Sequence, residues 1–189
     1  MTGRQASREA RYRRIRAELD ARRLPFAVLI ENFKHDTNVG GVIRTAHAAL
    51  TSEVIVVGSP DWNRSYAVSA DRWEHIRYFA RSEEALDYVR ERGYRVVVTE
   101  QHRAAVPLFD ARYPERPVFV FGHELQGVSP VFLQHADLIV QIPQWGLVGS
   151  LNVGASAAVV IYDWLAKHRH ILPPPRVPVE RATGRPKGA

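Results

Sequence analysis

The sequence contains no cysteine and a single methionine among its 189 residues. Without cysteine the chain forms no disulfide, no Cys-ligated zinc site and no catalytic thiolate. No apolar run approaches the ~18 residues that a membrane-spanning helix requires. The N-terminal stretch MTGRQASREARYRRIR also lacks the apolar centre of a secretion signal. These absences favour a cytoplasmic protein that is held together by an ordinary hydrophobic core.

Several signatures of catalysis and cofactor binding are missing as well. The glycines of GHELQGVSP do not follow the G-x-G-x-x-G spacing of a dinucleotide site, and no Walker phosphate loop is found. Ser150 lacks the G-x-S-x-G context of a hydrolase nucleophile. The eight histidines are scattered and form no convincing metal set with acidic residues. We therefore expect no metal, and a nucleotide-dependent oxidoreductase or a serine hydrolase is disfavoured.

The charge is concentrated at the two ends of the chain. Residues 4–23 hold eight arginines against three acids, and residues 167–189 hold six basic residues against one acid. The net charge is therefore +5 at each end and −4 in between. Segregated, arginine-rich charge attracts a polyanion. We interpret the ends as nucleic-acid-binding arms, with solubilising tails as the alternative.

Apolar strands alternate with helices along the chain. We predict strands at 26–31, 53–58, 75–80, 94–100, 116–122 and 137–143. Helices are predicted at 8–23, 37–50, 82–93, 129–136 and 150–168, with caps at Thr37 or Asn38, Ser82, Ser129 and Ser150. This alternation predicts an α/β fold with a mostly parallel sheet and helices on both faces.

The chain divides into three parts by composition. Residues 1–23 form a basic helical extension, residues 24–168 form the single folded domain, and residues 169–189 form a basic, proline-rich flexible tail. In parallel sheets, ligands bind beyond the carboxyl ends of the strands. The loops that follow Glu31, Phe121 and Ile142 therefore carry the candidate site residues.

Each of these three loops has a plain alternative explanation when it is taken alone. The first loop could bind an anion at a helix start through Asn38, the Gly40–Gly41 pair and Arg44. It could equally be a helix cap followed by a surface arginine. Glu124 stands between two glycines and suits either a ligand or a solvated loop. Asn152 precedes the small residues of 154–158, which permit close approach of a ligand or tight helix packing.

Together the loops are more specific. The segments NVGGVIRTA, FVFGHELQGVS and IVQIPQWGLVGSLNVGASAAVVIYDW resemble the three motifs of the SpoU (TrmH-like) family of RNA ribose 2′-O-methyltransferases, within the SPOUT superfamily. The resemblance covers residues 24–166. It implies an α/β domain with a C-terminal deep trefoil knot, a homodimer, S-adenosylmethionine as cofactor and RNA as substrate. As the substrate we slightly favour transfer RNA over ribosomal RNA. The alternative functions are those of a catalytically inactive RNA-binding protein and of a base-methylating relative.

The resemblance also implies roles for individual residues. The catalytic positions would be Asn38, Arg44, Glu124, Ser150 and Asn152. The cofactor would contact Thr99, Glu100, Gly122, Ile142 and Leu151. In this chain, Leu50 stands near a position where the family often has glycine, and His123 stands where it often has asparagine.

Overall fold

The computed structural model describes residues 3–175, which form seven strands and five α-helices. The strands are β1 (Ala27–Glu31), β2 (Glu53–Val57), β3 (Ile76–Phe79), β4 (Arg95–Thr99), β5 (Val106–Pro107), β6 (Pro117–Phe121) and β7 (Leu138–Gln141). The helices are α1 (Gly3–Asp20), α2 (Asp36–Ala48), α3 (Ser82–Glu91), α4 (Pro130–Gln134) and α5 (Val153–Lys167). No helix among the described residues is long and apolar enough to cross a membrane.

All seven strands lie in one sheet, in the order β3-β2-β1-β6-β4-β7-β5, and every neighbouring pair is parallel. Strand β1 lies between β2 and β6, with Leu29 opposite Ile55 and Val120. Because β6 lies between β1 and β4, the loops after these three strands meet at one edge. This order brings separate sequence motifs to a common site.

The sheet is covered on both faces, as predicted. Val28 and Ile30 of β1 pack into a core with α2 and α5, whereas Ala27 and Leu29 pack into a second core with α3 and α4. Successive side chains of a strand point to opposite faces, so an uninterrupted apolar strand serves both cores. The fully buried Trp164 of α5 belongs to the first core.

Three of the predicted helix caps are wrong. The cap position of α2 is His35 rather than Thr37 or Asn38, and that of α3 is Arg81, so that Ser82 lies in its first turn. Neither the His35 nor the Arg81 side chain makes a capping hydrogen bond. The Ser82 hydroxyl instead donates to the buried Glu31 carboxylate at 2.5 Å. Helix α5 begins at Val153, and its cap is Asn152 instead of Ser150. Ser129 occupies the cap position of α4 as predicted, although its hydroxyl makes no capping hydrogen bond.

Two features escaped sequence analysis. Strand β5 has only two residues and pairs with β7 at the sheet edge, too short to leave a periodic signal. Residues 64–67 and 70–72 form two short 3-10 helices that pack against α2. Of the predicted tail, 169–171 form another 3-10 helix, and 176–189 lie outside the described residues.

The end of the basic N-terminal segment is fixed to the domain. The Arg23 side chain is 8% exposed and its guanidinium lies 2.7 Å from the buried Glu74 carboxylate. It also donates to the carbonyls of Thr51 and Trp73 at 2.6 Å. Tyr12 of α1 stacks on Trp73, with ring centroids 4.5 Å apart. Arg23 is therefore part of the folded domain rather than of a free arm.

Candidate functional site

A chain of side-chain hydrogen bonds joins the three predicted loops. The Asn38 amide nitrogen donates to Glu124 Oε1 at 2.7 Å, and the Asn152 amide nitrogen donates to Asn38 Oδ1 at 3.0 Å. Asn152 Oδ1 in turn accepts from the backbone N–H of Ala155 at 3.1 Å. Asn38 is 8% exposed, so both halves of its amide find partners inside the protein. Three predicted site residues therefore form one connected unit.

Glu124 occupies the N-terminal end of α2. Its carboxylate accepts backbone N–H groups from Lys34 at 2.7 Å and His35 at 3.1 Å. Burial acts to raise the pKa of Glu124, but the hydrogen bonds from Lys34, Asn38 and His35 outweigh it and hold the pKa below its ordinary value. The anion at this helix start is thus the protein's own carboxylate.

The small residues at the start of α5 leave room for this hydrogen-bonded unit. A Cβ atom at Gly154 would lie 3.1 Å from Asn152 Oδ1 and 4.0 Å from Asn38 Oδ1. Asn152 caps the helix through its side chain, and its carbonyl accepts from the Ser156 N–H at 2.9 Å. Ala157 is fully buried in the core. Site geometry and core packing both select small side chains here.

A cavity of about 530 Å³ opens beside the unit, at the carboxyl edge of the sheet. Its lining includes all five predicted cofactor residues, namely Thr99, Glu100, Gly122, Ile142 and Leu151. It also includes four of the five predicted catalytic residues, namely Asn38, Glu124, Ser150 and Asn152. A volume of this size is typical of small-molecule sites.

Thr99 lines this cavity and has a buried side-chain hydroxyl. Its Oγ1 atom is buried and has no hydrogen-bond partner within residues 3–175. Buried hydroxyl groups are rarely left unpaired, because the loss of hydration costs about 1–3 kcal/mol. Half-buried Ile142 and the more exposed Leu151 supply apolar walls. The residues present fit a ligand with both polar and apolar parts, such as S-adenosylmethionine.

Glu100 supports the wall of the cavity through backbone contacts. Its carboxylate accepts from the N–H groups of Gln101 at 2.9 Å and Val128 at 3.0 Å. Gly127 adopts a φ of 71°, and a Cβ atom there would clash with the Glu100 carboxylate. A Cβ atom at Gly122 would clash with the Gly127 backbone. Glu100 and these two glycines therefore fix the loops after β4 and β6 against each other.

Arg44 lies apart from the other predicted catalytic residues. Its side chain is exposed on α2 and lines a second cavity with His47 and Trp73. It does not line the cavity that holds Asn38, Glu124, Ser150 and Asn152. The site within one chain thus brings together nine of the ten predicted residues.

The lining residues that were not predicted as site residues include Gln101, His35 and His123. Gln101 donates its side-chain amide to the Gly149 carbonyl and so connects the loop after β4 to the third motif. His35 and His123 line the cavity from the first and second loops. His123 Nδ1 accepts from the Leu125 N–H at 3.0 Å, which leaves Nε2 as the protonated nitrogen. Only their positions directly beside the motifs could have indicated them.

The parallel sheet and the cavity at its carboxyl edge define an α/β protein that binds a small ligand between strand-end loops. Residues 25–162 match the SpoU rRNA Methylase family, and the chain belongs to that family. The tRNA (guanosine(18)-2'-O)-methyltransferase of Thermus thermophilus is 33% identical over 159 residues, which cover 82% of this chain and 81% of that protein.

Two solved structures share the fold. The A. aeolicus TrmH/SpoU tRNA modifying enzyme superposes with a TM-score of 0.75 at 25% identity, covering 86% of each chain. The AdoMet-bound rRNA methyltransferase from Sinorhizobium meliloti superposes with a TM-score of 0.68 at 27% identity, covering 78% of this chain and 57% of that one. The resemblance noted from the three motifs is confirmed.

Proposed function

We propose that this protein transfers a methyl group from S-adenosylmethionine to a ribose 2′-hydroxyl of RNA, with tRNA as the favoured substrate over rRNA. The observation that carries the proposal is the hydrogen-bonded unit of Glu124, Asn38 and Asn152 beside the cavity that all five predicted cofactor residues line. Family membership and the tRNA-modifying relatives support the same reaction. Without cysteine or a membrane-spanning helix among the described residues, the cytoplasm is the expected location.

The cofactor would supply an electrophilic methyl group: a carbon–oxygen bond to the ribose would form as the carbon–sulfur bond breaks, the thioether S-adenosylhomocysteine would leave, and the hydroxyl proton would pass to water. Attack requires the hydroxyl to lie in line with that methyl. Thr99 Oγ1 would bind the cofactor, with Ile142 and Leu151 as its apolar walls. Asn38 and Asn152 would hold the first and third motif loops of the protein in register. Ser150, which also lines the cavity, would orient the ribose 2′-hydroxyl of the substrate.

Arg44 would bind the phosphate next to the target ribose. A guanidinium is a permanent cation that donates hydrogen bonds and accepts none, so it suits phosphate binding better than proton removal. Arg44 does not line the cofactor cavity of its own chain. Either a second copy of the protein or the bound RNA would therefore have to bring Arg44 and a cofactor cavity together.

We extend the proposal to a homodimer and to a C-terminal trefoil knot. Several apolar side chains near the third motif and on α5 are exposed, which supports a subunit contact. These side chains are Trp145, Leu147, Val148, Val159 and Tyr162. The hydrogen bond from Gln101 to Gly149 links two loops that a threaded chain would bring together. Sedimentation at several concentrations tests the dimer, and an experimental chain trace tests the knot.

The catalytic assignment is tested by Arg44→Ala in a methyl-transfer assay on unmodified tRNA. We expect kcat/KM to fall at least about 100-fold, because a charged contact to the transition state is lost. Arg90→Ala is the matched control, since Arg90 is an exposed arginine on α3 that lines neither cavity. Activity of Arg44→Ala close to that of the control would remove Arg44 from the mechanism.

Calorimetric titration with S-adenosylmethionine separates the enzyme from an inactive RNA-binding protein. We expect one cofactor per chain to bind at the cavity. Thr99→Val should weaken this binding, since its apolar side chain of similar shape cannot hydrogen-bond. Absence of uptake by the wild-type protein would contradict the proposed function.

A further inference from the structure

The second cavity, which Arg44 lines, has a volume of about 230 Å³ and lies between α2 and residues 67–73. It shares no lining residue with the cofactor cavity. The methyl-transfer mechanism uses only Arg44 from this region. The remaining lining residues therefore have no role in the chemistry derived so far.

One wall of the cavity is formed by residues 67–73, and the chain just before and at the start of this segment packs closely on α2. A Cβ atom at Gly40 would lie 2.5 Å from the Tyr66 backbone carbon and 2.8 Å from the Ala67 nitrogen. The chain then passes through two consecutive left-handed residues, Val68 at φ 50° and Ser69 at φ 68°. A β-branched residue in this region is a true outlier, with a cost of about 1–3 kcal/mol, and such strain concentrates at ligand sites. Val68 is nonetheless 66% exposed at the cavity.

The cavity carries an uncompensated positive charge. The Arg44 side chain is exposed, and its guanidinium makes no hydrogen bond or ion pair with the groups that the structure describes. Two acids adjoin the lining residues, and both have a basic partner. Glu74 is paired with Arg23 at 2.7 Å and with His47 Nδ1 at 2.7 Å, and the Asp71 carboxylate lies 4.0 Å from Arg64. Arg44 is therefore available for an external anion.

The opposite wall is aromatic. Trp73 is half-buried, and its ring stacks on Tyr12 of α1 at 4.5 Å with an interplanar angle of 21°. The Tyr12 hydroxyl donates to the Arg72 carbonyl, which further fixes α1 beside the cavity. The exposed arginines of α1 extend the positive surface away from this wall; these are Arg11, Arg13 and Arg14.

From these observations we infer that the second cavity binds one unstacked nucleotide of the RNA substrate, outside the cofactor site. The base would contact the Val68 and Trp73 side chains, and its phosphate would pair with Arg44. Proteins recognise unpaired RNA bases through this combination of aromatic or apolar contact and arginine. The inference rests on the proposed function for the identity of the nucleic acid. Because Arg44 binds the phosphate next to the target ribose, this nucleotide is the neighbour of the methylated one, and residues 67–73 are assigned to binding it.

The test uses the full chain and tRNA transcripts that carry photoreactive thio-nucleosides. We expect irradiation to cross-link RNA to residues within 67–73. Val68→Gly should raise the KM for tRNA about tenfold, because one base contact contributes about 1–3 kcal/mol and 1.4 kcal/mol corresponds to tenfold. Its kcat and its dissociation constant for S-adenosylmethionine should equal those of the wild type. Glycine also suits the left-handed backbone, so folding is preserved.

Phe109→Ala is the matched control, because Phe109 is similarly exposed, at 63%, and lines neither cavity. An unchanged KM for Val68→Gly, or cross-links found only outside 67–73, would overturn the inference. A shift of the monomer–dimer equilibrium in Val68→Gly with unaltered cross-linking would also overturn it, since the cavity would then be a subunit contact.

If the proposed function is wrong, the experiments give a different set of results. In that case the wild-type protein takes up no S-adenosylmethionine and transfers no methyl group. Cross-linking and the dissociation constant for tRNA then test the nucleotide cavity alone, with Val68→Gly expected to weaken RNA binding about tenfold.

Discussion

Asn38 has both ends of its side-chain amide engaged, one by Glu124 and the other by Asn152. An aspartate of the same shape would place a second carboxylate 2.7 Å from Glu124, and an alanine would leave two buried partners unpaired. The geometry therefore explains why an amide, rather than an acid, suits this position. The sequence alone placed Asn38 beside the start of a helix and left a simple cap as the alternative.

Glu124 gives the site a defined dependence on pH. Its pKa is lowered in the folded protein, so its contribution to stability is complete above the ordinary glutamate pKa and is lost as the pH falls through the lowered value. We expect Glu124→Gln to lower the free energy of unfolding by about 1–2 kcal/mol at neutral pH. Urea unfolding of both proteins should show this difference shrinking as the pH falls below about 4. A difference that stays constant with pH would show that the charge is irrelevant.

Leu50 lies in a turn that the sequence did not predict, although the family often has glycine near this position. It adopts a φ of 56° after α2, and its N–H and that of Thr51 donate to the carbonyls of His47 and Ala46. This is a Schellman arrangement, in which the left-handed position favours glycine. The half-buried leucine packs against the core instead. The resemblance cast doubt on this turn, and the structure retains the turn with a strained residue.

At the scale of an element, the two glycines of α2 have different roles. A Cβ atom at Gly40 would meet backbone atoms of residues 66–67 at 2.5–2.8 Å, whereas one at Gly41 would meet nothing within 4 Å. We expect Gly41→Ala to raise the free energy of unfolding by up to about 1 kcal/mol, through helix propensity. Gly40→Ala should lower it by about 1–3 kcal/mol, because the packed backbone must shift.

Thermal and urea unfolding of the two single variants measure this contrast, and each glycine serves as the control for the other. Equal effects of the two substitutions would contradict the packing described between α2 and residues 64–73. The sequence offered the adjacent glycines as a way for an anion to reach free N–H groups. That interpretation failed because the pair lies inside the helix, and the packing partner of Gly40 lies in a segment without periodic signal.

The elements that the sequence predicted well are those with strong periodicity. The buried strand at 27–31 and the helix at 153–167 are fixed by uninterrupted apolar or helical patterns. Their boundaries and caps were less predictable. Asn152, rather than Ser150, caps α5 because the Asn152 side chain also reaches Asn38, and such a contact depends on the folded sheet order.

At the scale of the whole molecule, the basic N-terminal helix should contribute salt-sensitive RNA affinity. Removal of residues 1–23 would also delete Arg23 and leave the buried Glu74 unpaired, so charge removal from the exposed surface is the cleaner test. We expect the double variant Arg13→Gln, Arg14→Gln to weaken tRNA binding and to reduce the salt slope by about one to two. Cofactor affinity should stay unchanged.

The matched control is the double variant Arg81→Gln, Arg90→Gln on the opposite side of the sheet. Both pairs are exposed, and in each one arginine makes a surface ion pair with a glutamate three or four residues away. Filter binding at several salt concentrations gives both slopes. A slope of the α1 variant equal to that of the control would show that α1 does not contact RNA.

The central claim is that the three motif loops hold a methyl donor against an RNA ribose. The most direct measurement is mass analysis of the nucleosides from unmodified tRNA after incubation with the protein and deuterated S-adenosylmethionine. The account predicts a labelled methyl group on the ribose of a single nucleoside. A methyl group on a base, or unlabelled tRNA despite bound cofactor, would contradict it.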